Sequence, residues 1–300
     1  MRHDIKRLLL KSVKGACRSI YLSVYGLSDP DILNALKEQS SRSLSVIVEY
    51  DPSASAAIRL PLPARAIPIK TRGLMHRKIA VIDRSLVFLG SANFTPTSLR
   101  HHGNLVLGFY HPGLARYLES PFSNQFAFEV SGLQGELFLL PDPSGRSERK
   151  LMTTLAQAKK SIRIAMFTLT HEGIIQTLIE AKQRGVDIRV ALDYYTAKGA
   201  SKKALERLNL AGIRVLCNQG QELLHYKWAL VDESHLIAGS ANWTRAAFSK
   251  NQDFILLLTP LCKHQSQFFS KLWSLIESES SPPEVKKNHS LTLLAREESL

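Results

Sequence analysis

Three hundred residues carry 39 Lys and Arg against 26 Asp and Glu, a formal net charge of +13, and 44% of them are apolar. That length allows one large domain or two ordinary ones, and the apolar share is that of a globular protein with a real core rather than a disordered chain. The charge points to polyanions, whether nucleic acid, an acidic membrane or phosphorylated small molecules, without choosing among them.

The first twenty residues are basic, but their apolar run is only Leu8–Leu10, too short for a signal peptide. No stretch approaches the roughly 18 apolar residues of a membrane span. A soluble protein is expected, cytoplasmic or secreted by a route the sequence does not reveal. The first predicted strand begins near Ile20, so a misassigned start codon would hide a targeting segment. Cys17, Cys217 and Cys262 lie far apart, with no CxxC or Cys/His ligand spacing, and read as reduced core residues.

Residues 19–36, SIYLSVYGLSDPDILNAL, read as an apolar strand, a turn and an amphipathic helix, and 44–50, LSVIVEY, as a second strand. Residues 51–74 mix Leu60, Leu62 and Ile67 with Pro and Arg. They form either a lipid-facing lip or an irregular connection with a strand at Ala66–Lys70. Residues 76–93, HRKIAVIDRSLVFLGSAN, read as strand, turn at Arg84-Ser85, and strand. Residues 131–150 are rich in Gly, Pro and Ser and mark the boundary between halves, with ELFLL opening the second. SIRIAMFTLTHEGIIQTL (161–178) then repeats 19–36 at an offset of 142, and VDIRVAL (186–192) stands where 44–50 stood. HYKWALVDESHLIAGSAN (225–242) repeats the motif at an offset of 149. Such a repeat dictates the architecture: 1–132 and 133–276 are two α/β units, and 277–300 is a poorly ordered tail.

Side chains alternate along a strand, so His76 and Lys78 share a face, as do His225 and Lys227. Gly90 and Gly239 end the second strand of each copy, where backbone can approach a ligand closely. If the halves pack about a pseudo-two-fold axis, two imidazoles, two ammonium groups, two serines and two asparagines converge. Such donors suit the growing charge of a phosphorane-like transition state. A neutral histidine can attack phosphorus and a protonated one opposite can protonate the leaving oxygen. No cluster has the ligand set of a zinc or two-metal site, and no cofactor or metal is expected.

The doubled HxKx4D with GSxN resembles the phospholipase D superfamily over about residues 12–276. The resemblance implies two similar α/β sandwich lobes about a pseudo-two-fold axis, one active site between them, and a phosphohistidine intermediate. It carries His76, Lys78, Asn93, His225, Lys227 and Asn242 over as catalytic residues, and Ser91 and Ser240 as substrate-binding. Asp83 and Asp232 are structural in such proteins. An acid usually follows each motif and holds a histidine. Asp253 fills that place in the second copy, also as a catalytic residue. Asn104 stands there in the first, and is taken as substrate-binding. A carboxylate favours the imidazolium more than an amide does. His76 is therefore expected to be the neutral nucleophile, and His225, held by Asp253, the general acid. Tyrosyl-DNA phosphodiesterases resemble this pairing of an amide with an acid.

His101 and His102 either line the cleft or, as expected here, lie on a surface loop. His171 and His235 are expected to face solvent. Trp228 and Trp243 suit packing better than stacking on a base or lipid. Arg72, Arg77, Arg100 and Arg245 suit a solvated rim. Phospholipid hydrolysis to phosphatidate and an alcohol is the first expectation. Nucleic-acid cleavage is the alternative; the compact motif with GSANFT also resembles the family's small nucleases and mitochondrial cardiolipin hydrolases. Cardiolipin-synthase-type transfer would use the same intermediate. A non-catalytic polyanion-binding relative is a further alternative, favoured only by Asn104. Partners are thus a phosphodiester substrate and, peripherally, an anionic membrane. Both catalytic halves lie in one chain, which implies a monomeric active unit.

Overall fold

The computed structural model describes residues 4–283 except Ser43, Ala57 and Gln221. The expectation of a disordered tail lies outside the described residues from position 284 onward. Residues 277–281, placed in that tail by sequence, instead complete a helix and a short strand.

The first lobe runs α1 (Asp4–Lys14), β1 (Ser19–Val24), α2 (Pro30–Ser41), β2 (Ser45–Tyr50), β3 (Arg65–Pro68), β4 (Lys78–Ile82), β5 (Leu86–Gly90), α3 (Pro96–Arg100), β6 (Val106–Tyr110) and α4 (Pro112–Glu119). The chain then forms β7 (Gln125–Val130), β8 (Leu133–Leu139), α5 (Arg146–Ala156), β9 (Ser161–Met166), α6 (Glu172–Gln183), β10 (Asp187–Leu192), α7 (Tyr194–Lys198) and α8 (Lys202–Leu210). It finishes with β11 (Arg214–Asn218), β12 (Lys227–Val231), β13 (His235–Gly239), α9 (Arg245–Ser249), β14 (Phe254–Thr259), α10 (Lys263–Ser278) and β15 (Ser280–Ser281).

The first sheet has the order β3-β2-β1-β4-β5-β6, and the second contains the same order as β11-β10-β9-β12-β13-β14. In each, three strands run parallel and the motif strands return antiparallel. The second sheet also carries β15 on one edge and β8-β7 on the other. Strand β7, assigned to the first repeat by sequence, therefore belongs to the second sheet. It is held there by pairing with β8, a contact that no periodicity within β7 reveals.

Strands β1, β4 and β12 are buried along their whole length, as sheets covered on both faces require. Asp29 caps α2 by accepting from the backbone N–H groups of Asp31 and Ile32, and Pro30 opens the helix. The lobes share an apolar core in which Val81, Leu89 and Phe109 of the first join Trp228, Leu256 and Phe254 of the second. Trp228 and Trp243 are fully buried packing residues.

Each β4–β5-type hairpin turns one residue earlier than expected. Asp83-Arg84 and Asp232-Glu233 take positive φ, and Ser85 and Ser234 donate back to Ile82 and Val231. This is the mirror-image turn that matches strand twist. The Asp side chains explain the shift. Asp83 accepts from the backbone N–H groups of Cys17, Arg18 and Ser19, and Asp232 from those of Lys159, Lys160 and Ser161. Burial raises each carboxyl, but the three donors together hold both below the usual range.

Of the cysteines only Cys217 is a core residue; Cys17 and Cys262 are exposed. Pro61 lies at the end of the sheet away from the motif. The carbonyl of Pro61 accepts from Ser40 Oγ (2.6 Å) at the far end of α2, and Ile58 and Leu60 pack on the first lobe's core. Leu62, 89% exposed, thus points to solvent at the end of the sheet remote from His76. It cannot serve as a lip of the site, and β3 starts at Arg65 rather than Ala66.

Candidate active site

Both motifs deliver their side chains to one place, where the strand order of each sheet brings β4 and β12 beside the parallel strands. His76, Lys78, His225 and Lys227 are all buried. Each lysine donates to the carbonyl of its own histidine, Lys78 at 2.5 Å and Lys227 at 2.8 Å.

The acid and amide partners cross between lobes. Asp253 Oδ1 accepts from His76 Nδ1 at 2.8 Å, and Asn104 Oδ1 lies 3.0 Å from His225 Nδ1. The expected pairing of Asp253 with His225 is therefore wrong. The chain after α9 crosses the pseudo-axis: Gln252 N–H donates to Leu74, His76 N–H donates to Gln252, and Met75 bridges Gln252 in parallel. The chain after α3 makes the matching contact, with Gly103 N–H donating to Leu223.

Ser91 and Ser240 are not in a position to bind substrate. Ser91 Oγ donates to Asn104 Oδ1 and accepts from Leu105 N–H, while Ser240 Oγ donates to Asp253 Oδ1 and accepts from Phe254 N–H. Both hydroxyls are thus spent on holding the histidines' partners. Asn104 is likewise a positioning group, since its Nδ2 donates to Ser98 and its Oδ1 serves His225. Asn93 and Asn242 present buried Oδ1 atoms with no hydrogen-bond partner among the described residues.

Gly90 and Gly239 are needed for a different reason than ligand approach. A Cβ on either would fall 2.4 Å from the Leu105 carbonyl oxygen or 2.3 Å from that of Phe254, the strand neighbours that carry the partner groups.

Burial decides the electrostatics. It drives Lys78 down to about 7, against the pull of Asp253 and Asp51. Burial and Lys78 drive Lys227 well below the usual lysine range. Burial and Lys78 also lower His76, with Asp253 opposing. His225 has no carboxylate. Burial, Lys227, Lys78, His76 and His102 together hold it well below the ordinary imidazole value. Burial raises Asp253, yet His76, Lys78 and Ser240 outweigh it, so its carboxyl stays ionised. Two desolvated lysines beside two depressed imidazoles form a site whose cations gain most from an incoming anion.

Several participants escaped the sequence reading. Tyr25 lies edge-on to His76 (5.1 Å) with Lys78 Nζ over its ring at 5.1 Å; Phe167 lies against His225 (4.9 Å) with Lys227 Nζ over its ring at 4.9 Å. They are twins at the offset of 142, which could have found them. So are Asp51 and Asp193, which accept from Met75 N–H and Leu224 N–H beneath the lysines. His102 is half-buried with its ring 6.1 Å from that of His225, so it is not merely a surface residue. His171 is buried, not solvent-facing: it caps α6 and lies 3.3 Å from Glu148. Arg72, Arg100 and Arg245 are exposed, Arg77 half-buried. Among the described residues no group of His, Cys, Asp and Glu is disposed to hold a metal, and no helix is long and apolar enough to cross a membrane.

Comparison with known proteins gives the family of the chain. The mitochondrial cardiolipin hydrolase of Xenopus laevis is 31% identical over 128 residues, 41% of this chain and 60% of that protein. The chain thus spans less than two thirds of that relative. The Homo sapiens mitochondrial cardiolipin hydrolase is 28% identical over 218 residues, 70% of this chain and 73% of that one. The crystal structure of phosphatidylserine synthase from Haemophilus influenzae superposes with a TM-score of 0.77 at 13% identity, covering 94% of this chain and 86% of that one, a likeness of fold. The family model described as "Cardiolipin synthase, PLD-like domain" matches residues 9–126 and 151–273, the greater part of both lobes. By that coverage, and by the doubled motif assembled at one site, the chain belongs to the phospholipase D-like family of cardiolipin-synthase type.

Proposed function

We propose that the chain is a phosphodiesterase that works through a phosphohistidine and acts first on phospholipid, releasing phosphatidate and an alcohol. The observation that carries this reading is the crossed pairing of His76 with Asp253 and His225 with Asn104 beside two buried lysines.

Nδ1–H of His76 donates to Asp253, which leaves Nε2 as the lone pair facing the cleft. Attack of Nε2 on phosphorus places positive charge on the ring. Asp253 stabilises that charge as it forms, which is where an interaction accelerates reaction. His76 therefore keeps the role of nucleophile, on different grounds from those expected. His225 Nε2–H gives its proton to the departing ester oxygen as the P–O bond breaks. Neutral His225 then takes a proton from water, whose oxygen attacks phosphorus and breaks the P–N bond. Lys78, Lys227 and the amide Nδ2 groups of Asn93 and Asn242 donate to the phosphoryl oxygens. An anionic phosphodiester raises the affinity of His225 for its proton, so substrate binding itself arms the acid.

Lipid is preferred because the relatives include proteins named for cardiolipin hydrolysis. A nucleic-acid backbone is the second reading. It is favoured by the net charge of +13 and by exposed Arg72 and Lys250 on segments that meet beside His76. Both halves of the site come from one chain, so the active unit proposed is a monomer that meets an anionic bilayer at its surface.

The test supplies cardiolipin vesicles in one arm and single- and double-stranded DNA in the other, both in EDTA, with trapping of the phosphoenzyme. Lipid turnover with an acid-labile, base-stable adduct that disappears in His76→Asn is the expected result. DNA cleavage without lipid turnover would replace the substrate class. Absence of turnover and adduct in both arms would leave a polyanion-binding protein.

A further inference from the structure

The pseudo-symmetry is broken next to His225. His102 and Asn251 are twins at the offset of 149. Asn251 spends its Oδ1 on the N–H of Leu74 at 3.1 Å and so closes the seam between lobes. His102 instead turns its ring toward His225, at 6.1 Å and a tilt of 48°. A third imidazole thus stands on the side of the site that lacks a carboxylate.

The loop that carries His102 is fixed. Gly103 donates to the Leu223 carbonyl at 2.9 Å, and a Cβ on Gly103 would lie 2.6 Å from the Tyr226 ring. Asn104 next in line holds His225. Because Nδ1 of His225 faces Asn104, its Nε2 is the atom that must lose and regain a proton, and its route to solvent passes through the cleft.

We infer that His102 is the proton-relay residue of this site, passing a proton to His225 Nε2 across one bridging water and recovering its own from solvent. Ring separations of this size suit such a bridge. Burial lowers His102 below the ordinary imidazole value, Glu222 opposes that shift, and His101 and Lys227 add to it. Lys227, Lys78, His76 and His102 face His225 and oppose its charge. Burial and these neighbours disfavour the His225 cation once the anionic product has left, so the proton taken from water is lost to solvent and must return before the next ester bond breaks, which gives the relay a task. The inference rests on the phosphodiesterase reading for its kinetic part, and on geometry alone for the coupling of the two rings.

Two measurements on wild type and His102→Asn test it. Histidine NMR through a pH titration should show His102 and His225 titrating as a coupled pair, and His225 titrating alone at higher pH in the variant. The single-turnover rate of adduct formation in dilute buffer should fall about tenfold on cardiolipin vesicles and by no more than about twofold on bis(p-nitrophenyl) phosphate, whose leaving group departs without a proton. Added imidazole should restore the cardiolipin rate. An unchanged His225 titration overturns the coupling whether or not the protein is active. Equal losses on both esters, without rescue, overturn the relay. Wild-type silence on both esters overturns the phosphodiesterase reading and the relay's kinetic role together, and leaves the NMR result to decide the coupling.

Discussion

The two halves of the site share a backbone plan and differ in charge. His76 faces Asp253 and the edge of Tyr25; His225 faces Asn104, Phe167 and His102. One histidine has an ionised partner to support positive charge, whereas the other has an amide and a competing imidazole. Duplication alone would give two equivalent histidines. On the proposed mechanism their divergence would let one bond to phosphorus while the other moves a proton, since two groups in different environments acquire different proton affinities.

The sharpest way to break that comparison is to remove each histidine in turn. His76→Asn should abolish turnover, by about 10⁴-fold or more, and form no adduct. His225→Asn should abolish turnover of ordinary esters yet still accumulate adduct from bis(p-nitrophenyl) phosphate, because departure needs no acid and dephosphorylation lacks its base. Trapped, denatured protein separates these outcomes. Adduct on His76→Asn but none on His225→Asn would reverse the two roles.

Asp253→Asn should cost about 10²–10³-fold in kcat/KM, because the imidazole must then acquire charge in a buried site without a carboxylate. Asp253 is fully buried and also accepts from Ser240. The asparagine can keep both contacts, so the thermal midpoint should move far less than the rate. A loss of fold as large as the loss of rate would make Asp253 a structural group.

How much of this was legible follows from what a repeat can say. The offset of 149 identifies twins, and it led directly to His76/His225, Lys78/Lys227 and the structural pair Asp83/Asp232. An offset is silent about which lobe a twin's partner comes from. That is why Asp253 was matched to the nearer histidine in sequence, when a seam of backbone hydrogen bonds from Gln252 to Leu74 and His76 carries it to the other. Ser91 and Ser240 were misread for a related reason: a hydroxyl in a motif advertises a donor, but only the fold shows that Leu105 and Phe254 already use it. The sequence sends His171 to solvent because it offers no partner for it. Its capping role and Glu148 partner are tertiary facts.

The Asp83 and Asp232 hairpins offer a comparison away from the chemistry. Each carboxylate satisfies three backbone donors, so Asp83→Ala or Asp232→Ala should cost about 1–3 kcal/mol of stability. Both folded carboxyls lie below the ordinary 3.8, so their contribution is complete above that value and is lost as pH falls through the folded values. The melting midpoints of wild type and variant should therefore converge under strongly acidic conditions. Midpoints that stay apart would mean that the side chains act by packing.

The smallest and most informative change restores the missing charge. On the proposed roles, kcat/KM in the free enzyme requires His76 neutral and His225 protonated. Both are held below the ordinary 6.5, His225 further, so the optimum should lie on the acid side of that value. Asn104→Asp places a carboxylate 3.0 Å from His225 Nδ1 in the geometry that Asp253 already offers His76. A carboxylate favours the cation, so the basic limb should move to higher pH while the acidic limb, set by His76, stays in place. The rate at the optimum should change by only a few fold, because proton supply becomes easier as His225 becomes a weaker acid. A profile that shifts as a whole would mean that the two histidines titrate as one unit, and the division of labour between the halves would have to be abandoned.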